Sequence, residues 1–220
     1  MVDINSPAFR RWFDGSKVVD SGGQPLVVWH FSKSHQAFDV FDFGRARDVG
    51  FHFGTRGAAQ DMARQLRGQT GTTSQPEPYY LRCLNPLGPV EDTCNWVLGR
   101  GYLWSPGSPL LDEMRSIGAI SQAEHAADAA AIKKIDIGIR ASGISDPADA
   151  VFRREAGAIV RNRMLAAGFD GFLYLNEFED PSAREVSWCV LSPSQIKSAE
   201  SNDGTFDLDD PSVRSNPRRW

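Results

Sequence analysis

Hydrophobic positions along the chain fall into short runs that change period often. SPAFRRWFD (residues 6–14) opens on a serine and a proline ahead of apolar positions. That predicts a short helix capped by Ser6, with Pro7 in the first turn, where a missing N–H costs nothing. KVVD and PLVVWH are β-prone runs on either side of the turn-forming SGGQ, which predicts a hairpin ending at His30. Residues 31–48 carry scattered aromatics without a lasting period and predict a loop with short ordered pieces. VGFHF alternates, so it predicts a strand with Phe51 and Phe53 on one face and His52 on the other. TRGAAQDMARQLR, rich in Ala, Gln, Arg and Met, predicts a helix.

After the linker-like GQTGTTSQPEP, the run YYLRCL alternates as a strand, and NPLGPVEDTCNW is expected to leave it through proline turns. SPLLDEMRSIG and SQAEHAADAAAIKKI predict two helices within an insertion-like segment, residues 100–150. The strongest helical signal is DPADAVFRREAGAIVRNRMLAAG. Phe152, Ala156, Ile159, Val160 and Met164 share one face there, and Gly168 stands where a C-terminal cap belongs. FDGFLYLN and VSWCVL predict strands on either side of the polar loop EFEDPSARE, the second stopped by Pro193. Few apolar anchors follow Ser201, so residues 1–200 are expected to form one domain and 201–220 a flexible tail. Many short strands broken by helices in no regular β-α-β order predict an α+β fold.

Composition narrows the classes. The 220 residues are 41% hydrophobic and 24% charged, normal for a globular domain. A net charge of −4 lacks the basic surplus of a phosphate-backbone binder, which favours a protein over a nucleic acid as macromolecular partner. Three cysteines (Cys83, Cys94, Cys189) without C-x-x-C spacing suggest free thiols and a reducing, cytoplasmic setting. No apolar run approaches a membrane span of about 18 residues, and MVDINSPAFRRWF lacks the apolar core of a signal peptide.

Candidate chemistry lies in three segments. His30 ends an apolar strand and is followed by Phe31 and Ser32, so its ring nitrogens are placed to meet a ligand hydroxyl. GFHFGT (50–55) is a strand running into a helix. Residues 174–199 join an acidic loop to a buried strand. Arg45, Arg47 and Arg56 flank the second segment and could meet a pyrophosphate, although a solvated arginine is the ordinary reading of each. His35 and His125 read as surface residues. A metal site from His30, His52 and Glu179 lacks any helix-spaced histidine pair and is not expected.

In this order the segments resemble the ADP-ribosyltransferase-like domains of phage and plasmid polyvalent proteins and of phage head-associated toxins, distant relatives of the diphtheria-toxin and poly-ADP-ribose polymerase class. The resemblance runs through SKVVDSGGQPLVVWHFS, VGFHFGTRGAAQDMA, YLRCLNPL with the following Trp96, AAGFDGFLYLNEFED and SWCVLSPSQIKSAESNDGTFD. Residues 100–150 resemble it least. It implies an ADP-ribosyltransferase-like fold, two packed short β-sheets forming an NAD cleft, and a transferase that passes ADP-ribose to a macromolecular acceptor with release of nicotinamide. It also implies a possible toxin or phage-effector role, with an antitoxin or immunity partner and delivery into a host cell.

The resemblance puts the ribose-holding histidine at His30 and the nicotinamide-stacking residue at His52, where relatives commonly carry tyrosine. Phe31, Ser32, Phe53, Gly54 and Ser187 would line the dinucleotide. The essential glutamate is expected from the acidic loop, at Glu179 in an N-x-x-E pattern with Asn176, or at Glu185, because Ser187 stands where the polymerase-like pattern has it. Breaking the nicotinamide–ribose bond builds positive charge on the sugar carbon, and a carboxylate beside it stabilises the transition state more than the ground state. Nicotinamide leaves from an already cationic ring, so neither a general acid nor a metal is required. The same residues also fit a degenerate NAD-binding or interaction module, or an NAD hydrolase.

Overall fold

The computed structural model describes residues 2–32, 38–46, 48–70, 74–92, 96–97, 108–141, 146–176 and 186–214. Helix α1 (Pro7–Phe13) begins as the sequence predicts, with the Ser6 side chain accepting from the Phe9 amide. Strand β1 (Val28–His30) follows, then β2 (Phe51–Phe53), α2 (Arg56–Thr70), β3 (Glu77–Leu81) and β4 (Pro86–Val90). Three helices come next, α3 (Pro109–Ser116), α4 (Gln122–Ala141) and α5 (Asp146–Ala166), and then β5 (Gly171–Leu175), β6 (Val186–Val190) and β7 (Ile196–Ser198).

The strands form two small sheets, one ordered β1-β3-β7 and the other β2-β6-β5-β4. All pairings are antiparallel except β4 with β5. The α+β expectation therefore holds, as two sheets with helices outside them.

Strand alternation decides which layer each side chain joins. On the first sheet Val28, Tyr79, Leu81 and Ile196 face the second sheet, whose Phe51, Phe53, Trp188 and Val190 meet them in one buried cluster. Tyr80 points the other way, onto Phe9, Trp12 and Phe13 of α1. On the far face of the second sheet, Phe172, Tyr174 and Cys189 pack against Leu110, Met114, Ile132, Phe152, Ala156 and Met164 of α3, α4 and α5. The molecule is thus layered as helix, sheet, sheet, helices. The two helices expected in 100–150 are present, and their apolar side chains complete this core.

Three local expectations need correction. The predicted hairpin is reduced to one bridge, Val19 with Pro25, and only Val28–His30 is a strand, because Asp20 folds its neighbourhood into a turn by accepting from the Gly22 and Gln24 amides. NPLGPV is a strand and not a set of proline turns; β4 is tolerated because it is an edge strand, where a proline forfeits no ladder bond on the open side. Residues 201–214, the start of the expected flexible tail, are packed: Phe206 joins the α1 cluster, and Val213 is fully buried in the inter-sheet cluster. Buried Lys197 holds this strap by donating to the Asp210 carbonyl at 2.8 Å and the Ser212 carbonyl at 2.6 Å.

The sheets also touch at one backbone seam. Trp29 and Gly54 exchange both hydrogen bonds, at 2.8 and 3.0 Å, where β1 and β2 end side by side. His30 and His52 flank that seam, and the cleft opens from it.

Candidate active site

His30 sits on the inward face of the first sheet, shared with Val28 and Tyr79. Its Nδ1 lies 2.7 Å from the His52 carbonyl. A carbonyl only accepts, so Nδ1 carries the proton and donates, which leaves Nε2 as an acceptor. Burial lowers the pKa of this ring to about 4, outweighing the opposing pull of the His52 carbonyl bond. His30 is therefore neutral near pH 7 and held as one tautomer. Phe41 and Phe53, with ring centroids 5.1 and 5.3 Å away, fix its orientation.

His52 occupies the other face of its strand, as alternation predicts. With Phe172, Tyr174, Ser187 and Cys189 it shares the helix-facing side of the second sheet. Its ring lies 6.1 Å from that of Trp96 and nearly parallel to it. Nδ1 is 3.1 Å from the Tyr174 hydroxyl, and Nε2 is 3.6 Å from Asp48 Oδ2, too far for a hydrogen bond. Among the described residues that buried Nε2 has no hydrogen-bond partner. Burial pushes the Asp48 carboxyl up, while the neighbouring His52 ring and the Val49 amide at 2.7 Å pull it back.

Ser187 is buried at the centre of this face and accepts from Asn176 Nδ2 at 3.3 Å. Gly54 must approach it closely. A β-carbon there would stand 2.9 Å from Ser187 Oγ, so the backbone at this rim has room for hydrogen alone.

Two adjoining cavities meet at these residues. The smaller, about 150 Å³, is lined by His30, Phe31, His52, Phe53, Gly54 and Ser187, together with Trp29, Tyr174, Asn176 and residues of α2. The larger, about 680 Å³, is lined by His30, Phe31, Ser32, Phe41, Arg45, Asp48 and His52 among others. Its volume falls within the usual range of roughly 300–1,000 Å³ for small-molecule sites, and the smaller alone does not. Because His30, Phe31 and His52 line both, the pair forms one cleft narrowed at the two histidines.

The structure thus gathers His30, Phe31, Ser32, His52, Phe53, Gly54 and Ser187 around this cleft. Glu179 and Glu185 lie outside the described residues, as do His35, Arg47 and Cys94. Arg45 lines the larger cavity, whereas Arg56 lies over the Trp29 ring, 5.0 Å from its centroid. His125 bonds Asp112 at 2.8 Å, far along the chain from the cleft segments. Cys83 and Cys189 are buried free thiols, their pKa values raised by burial. Sequence reasoning passed over Tyr174 and Trp29. The available signal for Tyr174 was the two-residue spacing Phe172, Tyr174, Asn176, which puts a hydroxyl and an amide on one strand face.

The wall of the larger cavity is braced from two directions. Arg161 of α5 lies 3.7 Å over the Phe43 ring and donates to the Val49 carbonyl at 3.1 Å. The strap holds the other end, where Val213 donates to the Asp39 carbonyl and Ser212 Oγ to Asp39 Oδ1. Among the described residues no helix is long and apolar enough to cross a membrane, and no group of three or more His, Cys, Asp or Glu could hold a metal.

Two short packed sheets that open into a histidine-lined cleft, with helices on the outer faces, define an ADP-ribosyltransferase-like fold. A model of the family described as ADP-ribosyltransferase in polyvalent proteins matches residues 20–206, and the chain belongs to that family. The family uses NAD as its substrate. No curated protein and no solved structure matches the chain.

Proposed function

We propose that the protein transfers a single ADP-ribose unit from NAD to a macromolecular acceptor, a protein in preference to a nucleic acid, with release of nicotinamide. The observation that carries this reading is His30: a neutral imidazole whose Nδ1 is committed to a carbonyl, leaving Nε2 to accept from a sugar hydroxyl in the cleft. Ser32, Phe31 and Gly54 would line the dinucleotide near it, and Arg45, which lines the larger cavity, would meet its phosphates.

Glu179 or Glu185 supplies the carboxylate for the cationic sugar. β5 ends at Leu175 beside Val186 of β6, so Asn176 and Ser187, which bracket the acidic segment in sequence, meet at that end of the sheet. Membership of the family and the disposition of His30 support this reading, and so does the order of the three segments in the chain.

One observation favours a second reading, a catalytically degenerate NAD-binding or interaction module. Ser187 occupies the glutamate place of the polymerase-like pattern and is buried on Asn176, contributing no charge. Nicotinamide release separates the two. Wild-type protein with NAD and a cell lysate should release nicotinamide and label a protein fraction. Glu179→Gln or Glu185→Gln should reduce that release by about 10²–10³, the usual cost of losing one electrostatic stabiliser. Release without label would indicate hydrolysis, and NAD binding without release the degenerate module.

A further inference from the structure

Three residues from separate elements form a line into the cleft that the reading above does not use. Asp48 precedes β2, His52 is on β2, and Tyr174 is on β5, 122 residues further along the chain. The Tyr174 hydroxyl faces His52 Nδ1 at 3.1 Å, and His52 Nε2 faces Asp48 Oδ2 at 3.6 Å. Tyr174 itself lines the smaller cavity beside His30, Asn176 and Ser187. A hydroxyl, an imidazole and a carboxylate in that sequence are the parts of a base relay: the third group orients the second and stabilises its charge, and the second activates the first.

The tautomer follows from the direction of the transfer. Tyr174 can pass a proton to Nδ1 only if Nδ1 is bare, so in the relay the ring proton sits on Nε2, which faces Asp48 Oδ2 at 3.6 Å without a hydrogen bond to it. The separations are longer than those of a working triad, as is common before substrate tightens such a site. His52 is also held for this task. The ring of Trp96 lies near one face of the imidazole, and Phe172 meets it edge-on at 5.7 Å.

We propose that Tyr174, His52 and Asp48 accept the proton of the acceptor during ADP-ribosyl transfer, so that the acceptor is a neutral hydroxyl or amide and not a carboxylate. The inference rests on the transferase reading and assigns the chemical class of its acceptor. In the step, the bond between the ribose C1′ and the nicotinamide nitrogen breaks, and its electron pair leaves on neutral nicotinamide. A bond forms between C1′ and the acceptor oxygen or nitrogen. The acceptor proton passes to Tyr174 Oη while the Tyr174 proton passes to His52 Nδ1, and the imidazolium is stabilised by Asp48. A carboxylate acceptor has no proton to give and would gain nothing from the arrangement.

The test compares wild-type protein with Tyr174→Phe and His52→Gln, measuring nicotinamide release at saturating NAD, NAD affinity by calorimetry, and the melting temperature. Phenylalanine keeps the ring packed on Trp96 and Phe172, so a tyrosine that served by ring packing alone would show no loss of turnover. The expected result is a fall in kcat of about 10² or more in both variants, the usual contribution of a general base, with NAD affinity retained in Tyr174→Phe. Turnover at the wild-type rate in Tyr174→Phe overturns the relay and leaves the transferase reading standing. If Tyr174→Phe fails to fold, His52→Gln decides by kcat at saturating NAD alone. Wild-type protein that releases no nicotinamide, with or without lysate, overturns the transferase reading and the relay with it.

Discussion

His30 should make the protein sensitive to acid by an amount that can be worked out. In the unfolded chain its imidazole titrates near the ordinary value of 6.5, and in the fold burial lowers that to about 4. The folded state thus resists a proton that the unfolded state accepts. Its contribution to stability is fully present above the unfolded value, is lost progressively as pH falls from there, and is gone below the folded value. A difference of about 2.5 pK units, at about 1.4 kcal/mol each, amounts to roughly 3 kcal/mol lost between pH 7 and 4. Other groups also take up protons on acidification, the Asp48 carboxyl that burial pushes up among them, so the experiment is a difference. Urea unfolding of the wild type and of His30→Gln would be followed from pH 7 to 4, and glutamine cannot take up the proton. The wild type should lose about 3 kcal/mol more than the variant over this interval. Two curves that run parallel would refute the reasoning, because His30 would then be solvated and free to protonate in the fold. Its single-tautomer role in the cleft would fall as well.

Three substitutions test the packing around the cleft. Gly54→Ala puts a methyl 2.9 Å from Ser187 Oγ and should cost about 1–3 kcal/mol by urea titration, with Ser187→Ala in the same chain restoring part of the loss. Gly171→Ala is more severe, since its β-carbon would lie 2.5 Å from the Cys189 carbonyl and 2.7 Å from Cys83 Sγ; a loss of about 3 kcal/mol is expected, and an unchanged denaturation midpoint would show that the strands part easily. Lys197→Met removes both bonds to the strap and should cost roughly 3 kcal/mol, speeding hydrogen exchange at the Ser198 and Val213 amides ahead of the rest of the chain.

How much of this was legible depended on the length over which a pattern persists. The face Phe152, Ala156, Val160 and Met164 repeats through several turns, and α5 packs with that face inward. β7 is three residues long and has no alternating flanks to extend its pattern, and β4 is disguised by prolines that only an edge position tolerates. The packed strap was invisible for another reason. Its anchors are carbonyl oxygens, which every residue type carries, and the signal lay in one buried lysine on another element. In the cleft, residues next to each other in sequence were readable: His30 with Phe31 and Ser32, and Phe53 with Gly54. The meeting of Tyr174 with His52 was not, because it depends on β5 and β2 both pairing with β6 in particular registers.

The outermost strand of the four-stranded sheet bears on how the molecule behaves in a crowded solution. β4 carries Pro86 and Pro89, and neither has a backbone hydrogen to offer an incoming chain. Exposed sheet margins are where proteins join end to end into fibrils, and prolines there are a known deterrent. The same residues that concealed this strand from the eye make it a poor template for recruiting a copy of itself.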